Sequence, residues 1–268
     1  MHNSKVRISQ DLLQSSTDLS RADGRALLLI GGLDPSGEAG LGADLATLGA
    51  LGWQPRLLAT VLTAQASGQW RRAEAVDARL LAEQAELLAH SRPAAVKIGA
   101  LGPGPACPVV LDLLQTLRAA DPTLPIVVDP VLRSSSGGAL GRAADYAALA
   151  PLATVLLPNG AEWRELAALC AGAPAPRLHT DAPPGAWLEG PGLDVRYRYS
   201  RRAGEFRGSG CTLATLVAAA LAGGAPLPRA CALALAQLQA WLAASTPPLI
   251  LRRPPAPPSA PPSAPTAP

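Results

Sequence analysis

Aromatic side chains are scarce in this chain: 3% of its 268 residues are Phe, Trp or Tyr, and Ala and Leu fill the apolar positions. Stacking platforms for single-stranded nucleic acid are hard to assemble from that stock. A net charge of +3 is too small to argue for DNA, so no nucleic-acid partner is expected. Histidine is nearly absent too. With only His2, His90 and His179, a His-rich metal centre is excluded, and a Cys-His nucleophile pair would have to draw on His90 or His179. The four cysteines, Cys107, Cys170, Cys211 and Cys231, have no C-x-x-C spacing. That excludes a zinc site of the usual kind and points to a reduced, cytoplasmic compartment. No apolar run reaches eighteen residues and no signal-peptide hydrophobic region opens the chain, so no membrane partner is expected.

What is present is ample core material, with 49% hydrophobic residues, enough for one large α/β domain. Residues 1–24 are polar and aperiodic, and residues 247–268 carry Pro-Pro repeats with Ala and Ser; both read as flexible tails, the second extended as polyproline II. Between them, over 25–246, short apolar runs alternate with helical patterns. Ala26–Gly31, Leu57–Leu62, Ala94–Ile98, Ile126–Val128 and Ala153–Leu157 read as strands. Helices are expected after Gly40 with Leu41, Leu45 and Leu48 inward, at 78–89, near 109–119, from about Asn159, and as a closing pair whose second member buries Cys231, Leu235, Leu238 and Leu242. Pro174, Pro176, Pro183, Pro184 and Pro191 crowd the stretch before that pair, where at most one or two irregular strands are expected. The pattern is that of one doubly wound, mostly parallel sheet with helices on both faces and ligands outside the carboxyl ends of its strands.

The segment with the most chemical content is Arg207-Gly208-Ser209-Gly210-Cys211-Thr212. It enters a helix with Leu213, Leu216, Val217, Ala220 and Leu221 on one stripe, so its first N–H groups lack internal partners and, beside glycines, can hold an anion. Cys211 in that field is expected to have a lowered pKa and to act as proton acceptor or nucleophile; the plainer reading is a buried structural cysteine after a turn. Four further segments follow strand ends. Residues 31–40 form a glycine-bearing turn followed by Asp44, placed in the first turn of the next helix, either to bond a ring amine or hydroxyl or merely to favour that helix end. Gln65 offers donor and acceptor to a heteroaromatic ring. Asp129, before Pro130-Val131, could help hold magnesium through water or cap a turn. Asn159 and Glu162 have capping-box spacing, and the same oxygens could order magnesium waters and nucleotide phosphates. The arginines at 196, 198, 201, 202 and 207 could steer a phosphorylated ligand, although a solvated loop is the favoured reading.

In this order, the Gly32-Leu33-Asp34-Pro35-Ser36-Gly37 turn with Ala39-Gly40 and Asp44, Leu62-Thr63-Ala64-Gln65, Lys97-Ile98-Gly99, Asp129-Pro130-Val131, Leu157-Pro158-Asn159 and Gly208-Ser209-Gly210-Cys211 resemble the hydroxymethylpyrimidine/phosphomethylpyrimidine kinases of thiamine biosynthesis, in the ribokinase-like superfamily. The resemblance implies a ribokinase-like α/β fold, ATP and Mg2+ as cofactors, and phosphorylation of 4-amino-5-hydroxymethyl-2-methylpyrimidine, its monophosphate or both. It implies that Gly32, Ala39, Asp44, Gln65 and Val131 line the pyrimidine pocket, that Asn159 and Glu162, helped by Asp129, serve the magnesium-nucleotide, and that Gly208, Ser209 and Gly210 form an anion hole in which Cys211 takes the proton of the attacking oxygen. A homodimer is expected on the same ground. The chain departs from the family pattern at Glu38, where a small residue is usual, at Phe206-Arg207, where Thr-His is usual, and between Glu162 and Gly208, where no Lys-Gly-Gly-His is found and Leu178-His179-Thr180-Asp181 is its nearest remnant. Two alternatives stand beside this reading: a pyridoxal-type kinase, and a pyrimidine-binding protein that has lost phosphoryl transfer. A cysteine hydrolase built on Cys211 would need one of the two histidines close by.

Overall fold

The computed structural model of the chain describes residues 4–7, 19, 24–66, 68–173, 175–200, 202–246 and 250. Among the described residues, ten strands form one sheet: β1 (Ser4–Arg7), β2 (Ala26–Leu33), β3 (Gln54–Ala66), β4 (Gln69–Ala75), β5 (Ala95–Ile98), β6 (Ile126–Val128), β7 (Val155–Leu156), β8 (Arg177–His179), β9 (Gly185–Gly190) and β10 (Leu193–Arg198). Their order is β1-β10-β9-β8-β7-β6-β5-β2-β3-β4. The middle of the sheet, from β8 through β7, β6, β5 and β2 to β3, is parallel, and β4 and β9 add antiparallel neighbours at its two sides. The helices are α1 (Gly40–Leu51), α2 (Ala78–Ala89), α3 (Ala106–Ala120), α4 (Ala143–Leu149), α5 (Gly160–Leu166), α6 (Ser209–Ala222) and α7 (Leu227–Ala243).

β2 is apolar without a break because both of its faces are covered. Leu27 and Leu29 join one core cluster with α1, α6 and α7, while Leu28 and Ile30 join a second with α2, α3 and α4. The same alternation runs along β5: Val96 and Ile98 belong to the second cluster, and Lys97, between them, is turned to the face where α1 and α6 lie. Helix α6 is buried from Thr212 to Ala220 rather than along one stripe, as expected of a helix apolar all round and packed between the sheet, α1 and α7.

Three expectations need correction. The proline-crowded stretch carries three ordered strands, because Pro183 and Pro184 precede β9 and Pro191 sits in the β9–β10 turn, leaving the strand interiors free to pair. β4 and α4 were not read from the sequence: β4 is Gln-Trp-Arg-Arg-Ala-Glu-Ala, a mostly exposed strand without an apolar run. The 1–24 stretch, expected as a tail, pairs β1 with β10 and buries Leu19, whose carbonyl accepts from Trp53 Nε1 at 2.8 Å. Residues 1–3, 8–18 and 20–23 and the proline-rich tail lie outside the described residues, apart from Ile250, which is buried in the core.

Candidate functional site

The carboxyl ends of β2, β3, β5, β6 and β7 and the amino end of α6 enclose a cavity of about 420 Å³. The residues that the resemblance assigns to substrate, magnesium-nucleotide and catalysis line it: Gly32, Ala39, Asp44 and Gln65; Asp129 and Val131; Asn159 and Glu162; Gly208, Ser209, Gly210 and Cys211. Neither His90 nor His179 does, so the cysteine hydrolase has no base. His179 instead lies 2.9 Å from Glu189 and stacks on Trp187.

At the cavity floor, Lys97 Nζ donates to Asp44 Oδ2 at 2.9 Å and lies 3.9 Å from Asp129 Oδ2. Thr215 Oγ1 donates to the other Asp44 oxygen at 2.8 Å. Asp44 sits one turn into α1, not in its first turn, and is fully buried. Burial lowers the Lys97 pKa, but the Asp44 carboxylate, with Asp129 beyond it, outweighs burial and raises it. This triad was missed as a unit. A lysine inside an apolar strand was the legible sign, since a buried ammonium requires a partner.

The turn that enters α6 is shaped by glycine. Gly208 has φ of 68°, and a Cβ there would run into the carbonyl oxygen of Glu38. Gly208 is the N-cap of α6, so the N–H groups of Ser209, Gly210 and Cys211 have no intrahelical acceptor. Gly208→Ala is therefore expected to displace these donors and lower kcat about hundredfold, read by steady-state kinetics; a change under threefold would contradict this placement.

Cys211 departs from expectation. Its pKa is pushed up to about 12, by burial first, with Asp129 and Asp44 adding to it and only partial relief from Lys97 and the Gly40 N–H. Burial outweighs the helix end and Lys97, so the thiol keeps its proton, with Asp129 beside it. Burial also raises Asp129, to about 6, against the pull of Lys97. Asp129 Oδ2 is buried without a hydrogen-bond partner among the described residues.

Glu162 closes the capping box at α5: Asn159 Oδ1 accepts from the N–H groups of Ala161 and Glu162, and Glu162 Oε2 accepts from Asn159 N at 2.9 Å. Burial and then the Asp129 charge raise its pKa to about 8. A carboxyl raised above its unfolded value binds a proton more readily folded than unfolded, so its contribution to stability falls as pH climbs from about 4.5 to 8. Relative to Glu162→Gln, the wild type is expected to lose thermal stability across that window; parallel melting curves at pH 5 and 9 would contradict the shift.

Two departures from the family pattern meet in space. Arg207 Nε lies 2.8 Å from Glu38 Oε2, so the Glu38 carboxylate is held outside the cavity lining. Arg207 was placed in a solvated basic cluster, yet it is buried. Arg202 reaches the Ala243 carbonyl and Arg196 covers Trp187, while Arg201 lies outside the described residues. In place of Lys-Gly-Gly-His, β8 is followed by a turn at Thr180-Asp181, where Asp181 Oδ2 accepts from Gly160 N at 2.7 Å. Here a second cavity of about 290 Å³ opens between Thr180, Asp181, Tyr199, Phe206, Leu238 and Leu242, sharing Asn159, Thr180, Ser209 and Gly210 with the first.

A family profile described as phosphomethylpyrimidine kinase matches residues 34–175. The chain belongs to the phosphomethylpyrimidine kinase family. It is thereby a kinase of thiamine biosynthesis with the ribokinase-like fold expected from its motifs. The hydroxymethylpyrimidine/phosphomethylpyrimidine kinase of Streptomyces coelicolor is 33% identical over 239 residues, 75% of this chain and 82% of that relative. The crystal structure of the phosphomethylpyrimidine kinase of Clostridium difficile matches with a TM-score of 0.66 at 26% identity, over 81% of this chain and 99% of its own. The fold also matches the pyridoxal kinase of Staphylococcus aureus, solved with AMP-PCP and pyridoxal, with a TM-score of 0.63 at 21% identity over 81% of this chain and 87% of that one.

Proposed function

We propose that this phosphomethylpyrimidine kinase family member transfers the γ-phosphate of ATP to 4-amino-5-hydroxymethyl-2-methylpyrimidine, its monophosphate or both. The observation that carries the reading is Gln65 Oε1, a buried acceptor without a partner among the described residues, in the same cavity as the N–H groups that open α6. An aminopyrimidine supplies the donor that Gln65 lacks, and Asp44, with one contact on each oxygen, keeps lone pairs for a second. Gly32, Ala39 and Val131 form the walls of this end. Pyridoxal offers no ring amine to Gln65, which favours the pyrimidine.

The second cavity fits a nucleotide base beside the anion hole, with Asn159 and Gly210 between the two ends. Asp129, with one buried oxygen that has no hydrogen-bond partner among the described residues, and Glu162, once it gives up the proton that burial favours, would hold a magnesium ion largely through water and phosphate. Among the described residues no cluster of three acidic, His or Cys ligands exists to hold an ion alone. When bound, magnesium would neutralise phosphate charge.

Phosphoryl transfer through a loose transition state makes positioning and charge stabilisation the main tasks. Ser209, Gly210 and Cys211 aim N–H groups at the developing charge, and Lys97 adds a buried cation below them. The attacking hydroxyl becomes strongly acidic only as its bond to phosphorus forms. Its proton then passes to Cys211 Sγ while the thiol proton passes to Asp129, so no free thiolate is required.

Among the described residues no helix is long and apolar enough to cross a membrane, and we place the enzyme in the cytoplasm as a homodimer. Calorimetric titration tests the reading against a protein that only binds pyrimidine. The hydroxymethylpyrimidine and magnesium-AMP-PCP should each bind, and saturable pyrimidine binding without nucleotide binding would contradict it.

A further inference from the structure

We propose that Arg207 is a positioning residue that fixes the anion hole, by tying the turns after β2 and β6 to the residue immediately before Gly208. Its Nη2 donates to Asp34 Oδ2 at 3.1 Å, its Nη1 donates to Ser135 Oγ at 3.0 Å and Ser136 Oγ at 3.1 Å, and its Nε pairs with Glu38. The guanidinium is nine-tenths buried, so these contacts form away from competing water. Each partner is itself held. Asp34 Oδ1 accepts from the N–H and hydroxyl of Ser36, and Gly37 N donates to the Asp34 carbonyl. The far turn closes through Ser134 N to Gly138 O, and the ring of Trp70 covers Gly138 so closely that no Cβ fits between them. One planar fork therefore joins three segments lining the cavity, from the pyrimidine end to the phosphate end.

The consequence concerns transition-state geometry more than substrate affinity. Gly208 packs against the carbonyl of Glu38, so any shift of the 34–38 turn moves the start of α6, and displacement of about 1 Å can cost about hundredfold in rate. A lysine at 207 keeps the charge facing Asp34 and Glu38, but a point charge does not reproduce the fork to both serines.

The inference rests on the kinase reading, and the test separates the two. Kinetics and pyrimidine calorimetry are run on wild type, Arg207→Lys and Glu38→Gln. Arg207→Lys is expected to lower kcat about tenfold or more with the pyrimidine Kd within about threefold, and Glu38→Gln to move kcat the same way by a smaller factor of about three to five. A kcat within twofold of wild type in Arg207→Lys, or a loss carried by Kd at unchanged kcat, would overturn it while the kinase reading stands. Should Arg207→Lys not fold, a kcat within twofold in Glu38→Gln would do the same. An inactive wild type removes the kinase reading first, and the inference with it.

Discussion

Lys97→Met is expected to lower the unfolding free energy by about 3–5 kcal/mol, the usual cost of removing one partner from a buried ion pair. Lys97 and Asp44 are at most 1% exposed and 2.9 Å apart, and the Met side chain fills the volume without meeting the charge. Thr215 still donates to Asp44, but a neutral hydroxyl does not compensate a carboxylate buried at the cavity floor. The loss follows from the uncompensated charge, so a double variant, Lys97→Met with Asp44→Leu, should recover much of it. Urea denaturation decides this, and a single-variant loss below 1 kcal/mol would show the pair to be dispensable. The raised lysine pKa has the matching sign: the pair's contribution is complete below the ordinary lysine pKa and is lost only as pH rises beyond it.

The second large effect belongs to Cys211. Cys211→Ala interrupts the path from the attacking oxygen to Asp129 and is expected to lower kcat about hundredfold or more, while pyrimidine binding, carried by Gln65 and Asp44, persists. Cys211→Ser keeps a hydroxyl that can accept one proton as it gives up another, and should retain more activity than the alanine variant. Single-turnover kinetics separates the chemical step from product release; a loss smaller than tenfold in Cys211→Ala would mean that the proton reaches Asp129 without the thiol. The protonated thiol of the ligand-free protein, with its pKa near 12, makes the relay the chemically consistent role.

Where local chemistry decides, the sequence was legible. The apolar run of β6 and the periodicity of α2 gave those elements their bounds, and the Asn159–Glu162 spacing gave the capping box. The motifs after strand ends converge because a parallel sheet delivers its carboxyl ends to one side. What was not legible depended on long-range partners. β4 carries no apolar signal because most of its residues face solvent. Arg207 reads as one of five nearby arginines until the fold brings Asp34, at a sequence separation of 173, to its guanidinium. The Cys211 pKa failed as an expectation for the same reason: the helix end is local and visible, whereas the burial that raises the thiol, and then Asp129 and Asp44 beside it, exist only in the folded chain.

The central claim, phosphoryl transfer to an aminopyrimidine in the cavity at the start of α6, is met most directly by measuring ADP release with magnesium-ATP and three candidate acceptors: the hydroxymethylpyrimidine, its monophosphate and pyridoxal. The account predicts turnover with at least one of the two pyrimidines and its collapse in Cys211→Ala. Turnover of pyridoxal alone, or none with any acceptor while the pyrimidine still binds, would contradict it.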